Sequence, residues 1–188
     1  MEIAEIQDPL NPGQSQTNTR NIPAAVFIED VAAFIGSKDI QVVMKSLSEL
    51  YGKYKFMESR LVAQKRDLLN KIPDIRKAVD SITMLQSKAE DTTVVKTHYK
   101  LADNVFGKAD IDPTLGVVYL WIGANIMVKY SYDEAAELLK RNLESANVTF
   151  SSLDCDLAFL KDQITIQEVN IARVHNYNVG LKAKKLEQ

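Results

Sequence analysis

The sequence predicts an α+β chain in which two long helices, pairing as an antiparallel coiled coil, flank two β-hairpins. Three observations carry this. A seven-residue apolar repeat runs along each half of the chain. The stretch between the halves is rich in β-branched and aromatic residues and broken by short turn motifs. Only 7 Gly and 5 Pro occur in 188 residues, so the elements between breaks must be long. Apolar residues make up 46%, and the formal charge is −2. That balance lacks the basic excess of a nucleic-acid-binding domain. No apolar run approaches the length of a membrane span.

Residues 1–20 are polar, with Pro9, Pro12 and Gly13, and read as a disordered tail. The first residues are acidic and lack the apolar core of a signal peptide, so a reducing, cytoplasmic setting is expected, with the nucleus as a second compartment. Residues 21–36 read as a short helix. Pro23 suits its first position, Gly36 suits the position past its end, and Phe27, Val31, Phe34 and Ile35 form its apolar face.

Residues 37–91 form the first coiled-coil helix. One heptad position reads Ile40, Leu47, Tyr54, Leu61, Leu68, Ile75, Ile82, Ala89, all apolar. Its partner position reads Val43, Leu50, Met57, Gln64, Lys71, Ala78, Leu85. A repeat sustained this long indicates a coiled coil. Gln64 and Lys71 interrupt it, either to fix register or because the seam loosens there and the side chains reach solvent.

Residues 92–131 read as two β-hairpins. Ala102-Asp103-Asn104 and Gly123-Ala124-Asn125 supply the turns, and Asp112-Pro113-Thr114 separates the pairs. Four short strands make a poor core and leave open edges. They make sense if they join strands of other chains in a sheet or barrel, with Val117, Val118, Leu120, Trp121, Ile122, Ile126, Met127 and Val128 as the subunit interface.

Residues 132–188 form the second coiled-coil helix and a basic tail containing Lys182, Lys184 and Lys185. Ser131 and Glu134 have capping-box spacing. The seam reads Ala136, Leu143, Phe150, Leu157, Ile164, Ile171, Asn178 at one position and Leu139, Ala146, Leu153, Leu160, Gln167, Val174, Leu181 at the other. Joining Ala89 to Ala136 through the hairpins sets Tyr54 opposite Ile171.

Chemistry-bearing motifs are absent. The single Cys155 lies between Asp154 and Asp156, whose charge works against a thiolate nucleophile. His98 and His175 have no sequence-local metal partners, and there is no glycine-rich phosphate motif. No enzyme, cofactor or metal is expected.

The order of elements resembles an α-type prefoldin subunit. The resemblance sharpens at Ile22-Pro23-Ala24-Ala25-Val26-Phe27-Ile28-Glu29-Asp30-Val31, Tyr54-Lys55-Phe56-Met57-Glu58 and Lys71-Ile72-Pro73-Asp74-Ile75. Leu101-Ala102-Asp103-Asn104, Leu120-Trp121-Ile122-Gly123-Ala124-Asn125-Ile126-Met127, Asp133-Glu134-Ala135 and Glu168-Val169-Asn170-Ile171-Ala172-Arg173-Val174 extend it over about residues 22–180. It implies a hexameric co-chaperone of two α-type and four β-type subunits, with a double β-barrel body and six coiled-coil arms. It further implies capture of unfolded actin and tubulin at the arm tips and delivery to the cytosolic chaperonin without ATP, with neither nucleic acid nor membrane as a partner.

At the arm's free end, Ile40, Val43, Met44, Leu47, Val174, Tyr177 and Leu181 are the candidate client-binding residues, on the expectation that a coiled-coil end frays and exposes its seam. The competing reading is a structural coiled-coil adaptor or tether in a cytoskeletal assembly. It accounts for the seams but gives no reason for two hairpins between them.

Overall fold

The computed structural model describes residues 20–36, 38–91 and 94–186. The predicted tail thus lies outside the described residues, save Arg20. The elements are α1 (Val31–Ile35), α2 (Ile40–Glu90), β1 (Val95–Ala102), β2 (Val105–Ile111), a 3₁₀ turn (Pro113–Leu115), β3 (Val117–Gly123), β4 (Ile126–Ser131) and α3 (Tyr132–Leu186). They divide into two compact units: residues up to Arg66 together with Ser151 onward, and Asp67–Phe150.

In the first unit the outer parts of α2 and α3 run antiparallel. Tyr51 Oη donates to Glu168 Oε1 at 3.1 Å, and Lys65 Nζ lies 2.5 Å from Asp154 Oδ1. This register sets Tyr54 level with about Thr165, not with Ile171 as the sequence had suggested. In the second unit helix α3 starts at Tyr132, as the sequence predicts, and its first turns, with Ala135 and Ala136, pack around Ile82.

Much of the seam of the first unit is closed. Val43, Leu47, Tyr54, Leu153, Leu160 and Val174 are buried to within 1%. Two helices alone do not achieve this, and a third layer does. Residues 22–30 are extended, not helical as expected, and the helix is confined to Val31–Ile35, capped by the Asp30 carboxylate on the N–H groups of Ala32 and Ala33. Pro23 therefore starts no helix. Gly36 does end one, at φ 48°, where a residue with a Cβ would be strained. This strap buries Ile22, Ala25, Ile28 and Ile35. Ile28 and Ile35 join Val43, Leu47 and Val174 in one cluster, with Ile40, Met44, Ile171 and Tyr177 around it.

The second unit holds both hairpins. β1 pairs with β2, and β3 with β4, each antiparallel, as two separate two-stranded sheets. The β3–β4 turn uses two central residues, Ala124 (φ 48°) and Asn125 (φ 62°), both left-handed as the right-handed twist of a hairpin favours. On β1–β2, Gly107 lies opposite Tyr99. A Cβ there would fall 2.7 Å from the ring's Cζ, so only glycine lets the ring cross the strand. The capping box closes α3: Ser131 N donates to Glu134 Oε2 at 3.0 Å, and Glu134 N donates to Ser131 Oγ at 3.3 Å. The Ser131 backbone N–H, then its hydroxyl, hold the Glu134 carboxyl below its ordinary pKa.

Candidate interaction surfaces

The hairpin β3–β4 has two unlike faces. Val118 pairs with Tyr130 and Leu120 with Val128. Val118, Leu120 and Tyr130 pack against the cluster of Ile82, Tyr132, Ala135 and Ala136. Alternation sends Tyr119, Trp121 and Met127 to the other face. These are exposed to 61%, 60% and 56%, and Ile122 and Ile126 beside the turn are similarly open. Val117 and Val128 are half-buried. Of the eight residues read as an interface, Val118 and Leu120 are thus turned to the chain's own helices. Trp121, Ile122, Ile126 and Met127 are uncovered.

The hairpin β1–β2 adds exposed Tyr99, Leu101, Val105 and Phe106. Tyr119 and Phe106 belong to this open apolar surface and were not singled out from sequence. Alternation along a strand was the available signal, but it does not say which face meets solvent.

The residues read as a frayed end fall out differently. Val43, Leu47 and Val174 are buried, and Ile40, Met44, Tyr177 and Leu181 are half-buried. The seam does not fray here, because the strap covers it. The exposed large apolar side chains at this end include Val42 and Val179. Gln64 and Lys71, the polar seam positions, are exposed. Lys182 and Lys184 are exposed and belong to α3.

Beneath the strap lies a polar row that sequence reading missed. Asp156, Gln163 and Asn170 are spaced seven apart on α3, and all are buried. Asp156 pairs with Arg20. Gln163 Oε1 accepts from Ala25 N at 2.8 Å. Asn170 Oδ1 accepts from Ile28 N at 3.0 Å, and its Nδ2 donates to Val26 O at 2.8 Å. Arg173 Nη2 donates to Glu29 O at 2.7 Å, with its guanidinium 5.0 Å from the centre of the Phe27 ring. From α2, Tyr54 Oη donates to Pro23 O at 3.0 Å. Burial pushes the Tyr54 phenol up to about 12. The heptad spacing of Asp156, Gln163 and Asn170 was the signal in the sequence. Read alone, such a row looks like a solvated helix face.

In the seam itself, Gln167 Nε2 donates to Leu47 O at 3.0 Å. Its Oε1 is buried with no hydrogen-bond partner among the described residues.

Cys155 is exposed, and among the described residues no group of three His, Cys, Asp or Glu could hold a metal ion. No described helix is long and apolar enough to cross a membrane.

An antiparallel helix pair carrying two hairpins between its helices, with their apolar faces left open, defines a class of coiled-coil protein built around short strand pairs. Within that class the chain belongs to the prefoldin subunit family, a family of co-chaperone subunits. The family model described as prefoldin subunit matches residues 54–177. The chain is 43% identical to human prefoldin subunit 3 over 97% of its own length and 96% of that protein's. It is 45% identical to the mouse subunit 3 over 87% of its length and 84% of that protein's. Prefoldin subunit 3 of the fungus Elsinoe fawcettii is 40% identical, over 96% of this chain and 92% of that one. Among solved structures, a chain of filamentous PFD from Methanocaldococcus jannaschii is 18% identical, with a TM-score of 0.48 over 63% of this chain and 94% of that one.

Proposed function

We propose that this chain is one of the two α-type subunits of a hexameric prefoldin. In this reading it assembles with one further α-type and four β-type subunits in the cytoplasm. The observation that carries it is the open face of Tyr119, Trp121 and Met127 on a two-stranded sheet. A lone hairpin is marginal in water, and a contiguous apolar face of this kind needs a cover. Strands from neighbouring subunits would supply both the cover and the missing edge partners.

The complex then holds unfolded proteins, actin and tubulin among them, and passes them to the cytosolic chaperonin. Nothing in this cycle requires ATP. Trp121, Ile122, Ile126 and Met127, with Val117 at the margin, make the subunit contacts. At the helix ends, Val42 and Val179 and the half-buried Ile40, Met44, Tyr177 and Leu181 offer apolar contacts to a client.

The test reconstitutes the chain with its partner subunits. Native mass spectrometry should show a six-chain complex, and that complex should suppress dilution-induced aggregation of denatured actin and of an unrelated client, without nucleotide. A complex that protects only one partner would favour the adaptor. A chain that remains alone would refute the subunit reading.

A further inference from the structure

The contacts under the strap are of an unusual kind. Five main-chain groups of residues 23–29 are held by side chains: the carbonyls of Pro23, Val26 and Glu29 and the N–H groups of Ala25 and Ile28. Gln163 is fixed for this task, since its Nε2 is occupied by Phe159 O at 3.2 Å, leaving Oε1 as the acceptor. Asn170 reads an N–H and a C=O two residues apart, as a neighbouring strand would. None of these hydrogen bonds depends on which side chains the extended segment carries. The side-chain contacts are the apolar fit of Ile22, Ala25 and Ile28, at three-residue spacing, the pairing of Arg20 with Asp156, and the Phe27 ring against Arg173.

Main-chain recognition plus a few apolar contacts is the chemistry by which a site takes an extended chain without reading its sequence closely. We propose that this groove is a binding site for extended apolar polypeptide, filled in cis by residues 22–29, and that the strap is a cover which an unfolded client displaces. This rests on the reading of the chain as a holder of clients, and it places one such contact under the strap. Displacement uncovers Val43, Leu47 and Val174, the seam residues the strap now buries. Because the strap is tethered beside its site, it competes at an effective concentration on the order of mM. Segments with a poor fit are thereby excluded, and chains rich in apolar residues are admitted.

The test uses the reconstituted hexamer and a fluorescent peptide of residues 20–36. A hexamer in which this subunit lacks residues 1–36 should bind the peptide at least tenfold more tightly than the intact hexamer does. Denatured client should displace the peptide, and the strapless hexamer should hold client at several-fold lower concentration. Asn170→Ala in the strapless subunit should weaken the peptide about tenfold. Should the strapless subunit fail to assemble, full-length Ile28→Ser loosens the cover and leaves the groove intact. It should give the same gain in peptide and client binding.

Peptide binding that client does not compete, or holding that is unchanged or reduced in both variants, would make the strap a structural layer and overturn the proposal. If no hexamer, wild type included, holds a client, the functional reading falls instead. The groove is then upheld by peptide binding to the strapless complex and refuted by its absence.

Discussion

The two units solve the same problem in opposite ways. In the first, the helix pair leaves a groove and the chain closes it from within. Ile22, Ala25, Ile28 and Ile35 fill it, and Leu47, Leu160 and Val174 reach 0% exposure. In the second, the hairpins bury one face on the helix base and leave Tyr119, Trp121 and Met127 open. A surface the chain covers itself contributes to its own stability. A surface it leaves uncovered is where other chains must come.

That contrast predicts different consequences for substitutions of similar chemical severity. The largest concerns the open face. Trp121→Asp should abolish incorporation into the hexamer, because a carboxylate would be desolvated where an apolar contact is needed. The helix content of the chain alone should stay within error of wild type. Native mass spectrometry and circular dichroism on the same preparation read both quantities.

In the closed unit, substitutions should destabilise the chain without redirecting assembly. Asn170→Ala strands the Ile28 N–H and the Val26 C=O in a buried place and leaves a small cavity. It should cost about 2–4 kcal/mol, measured by urea unfolding with hexamer formation followed in parallel. The exposed Asn142→Ala on the same helix should stay within about 0.5 kcal/mol.

Tyr54→Phe is milder. It removes the hydrogen bond to Pro23 and should cost about 1 kcal/mol at neutral pH. It should also change the alkaline limb. The phenol of the unfolded chain ionises near 10, whereas that of the folded chain ionises at about 12. The folded state thus keeps its proton while the unfolded state loses it. The contribution of Tyr54 is complete below pH 10 and is lost as pH rises toward 12. Stability against pH should therefore fall less steeply over that range in Tyr54→Phe than in wild type. Equal slopes would place the phenol in water.

Much of the architecture was legible. Leu47, Tyr54, Leu61 and Ile82 on one helix and Ala136, Leu153, Leu160, Ile164 and Val174 on the other are heptad positions and are buried, because a coiled-coil seam is written directly into sequence spacing. The turn at Ala124 and Asn125 and the capping box at Ser131 were equally readable, since both are local. The strap was not. Phe27, Val31, Phe34 and Ile35 read as the apolar face of a helix, whereas the residues the strap buries are Ile22, Ala25, Ile28 and Ile35, the first three at three-residue spacing. Here the spacing arises because an extended chain lies in a groove and is bonded by Gln163 and Asn170 rather than by a ladder of strands. Those partners lie more than 130 residues away in sequence, so nothing local announces them. The same omission made Val43, Leu47 and Val174 look like an exposed end.

The most direct test follows amide hydrogen exchange residue by residue in the chain alone and in the assembled hexamer, without client. The amides of the hairpins around Tyr119, Trp121 and Met127 should gain at least tenfold protection on assembly. Those of Ala25 and Ile28 should already be protected in the isolated chain and change little. Hairpin amides that exchange equally fast in both states, or strap amides that become protected only in the hexamer, would contradict the division between a surface closed from within and one completed by other chains.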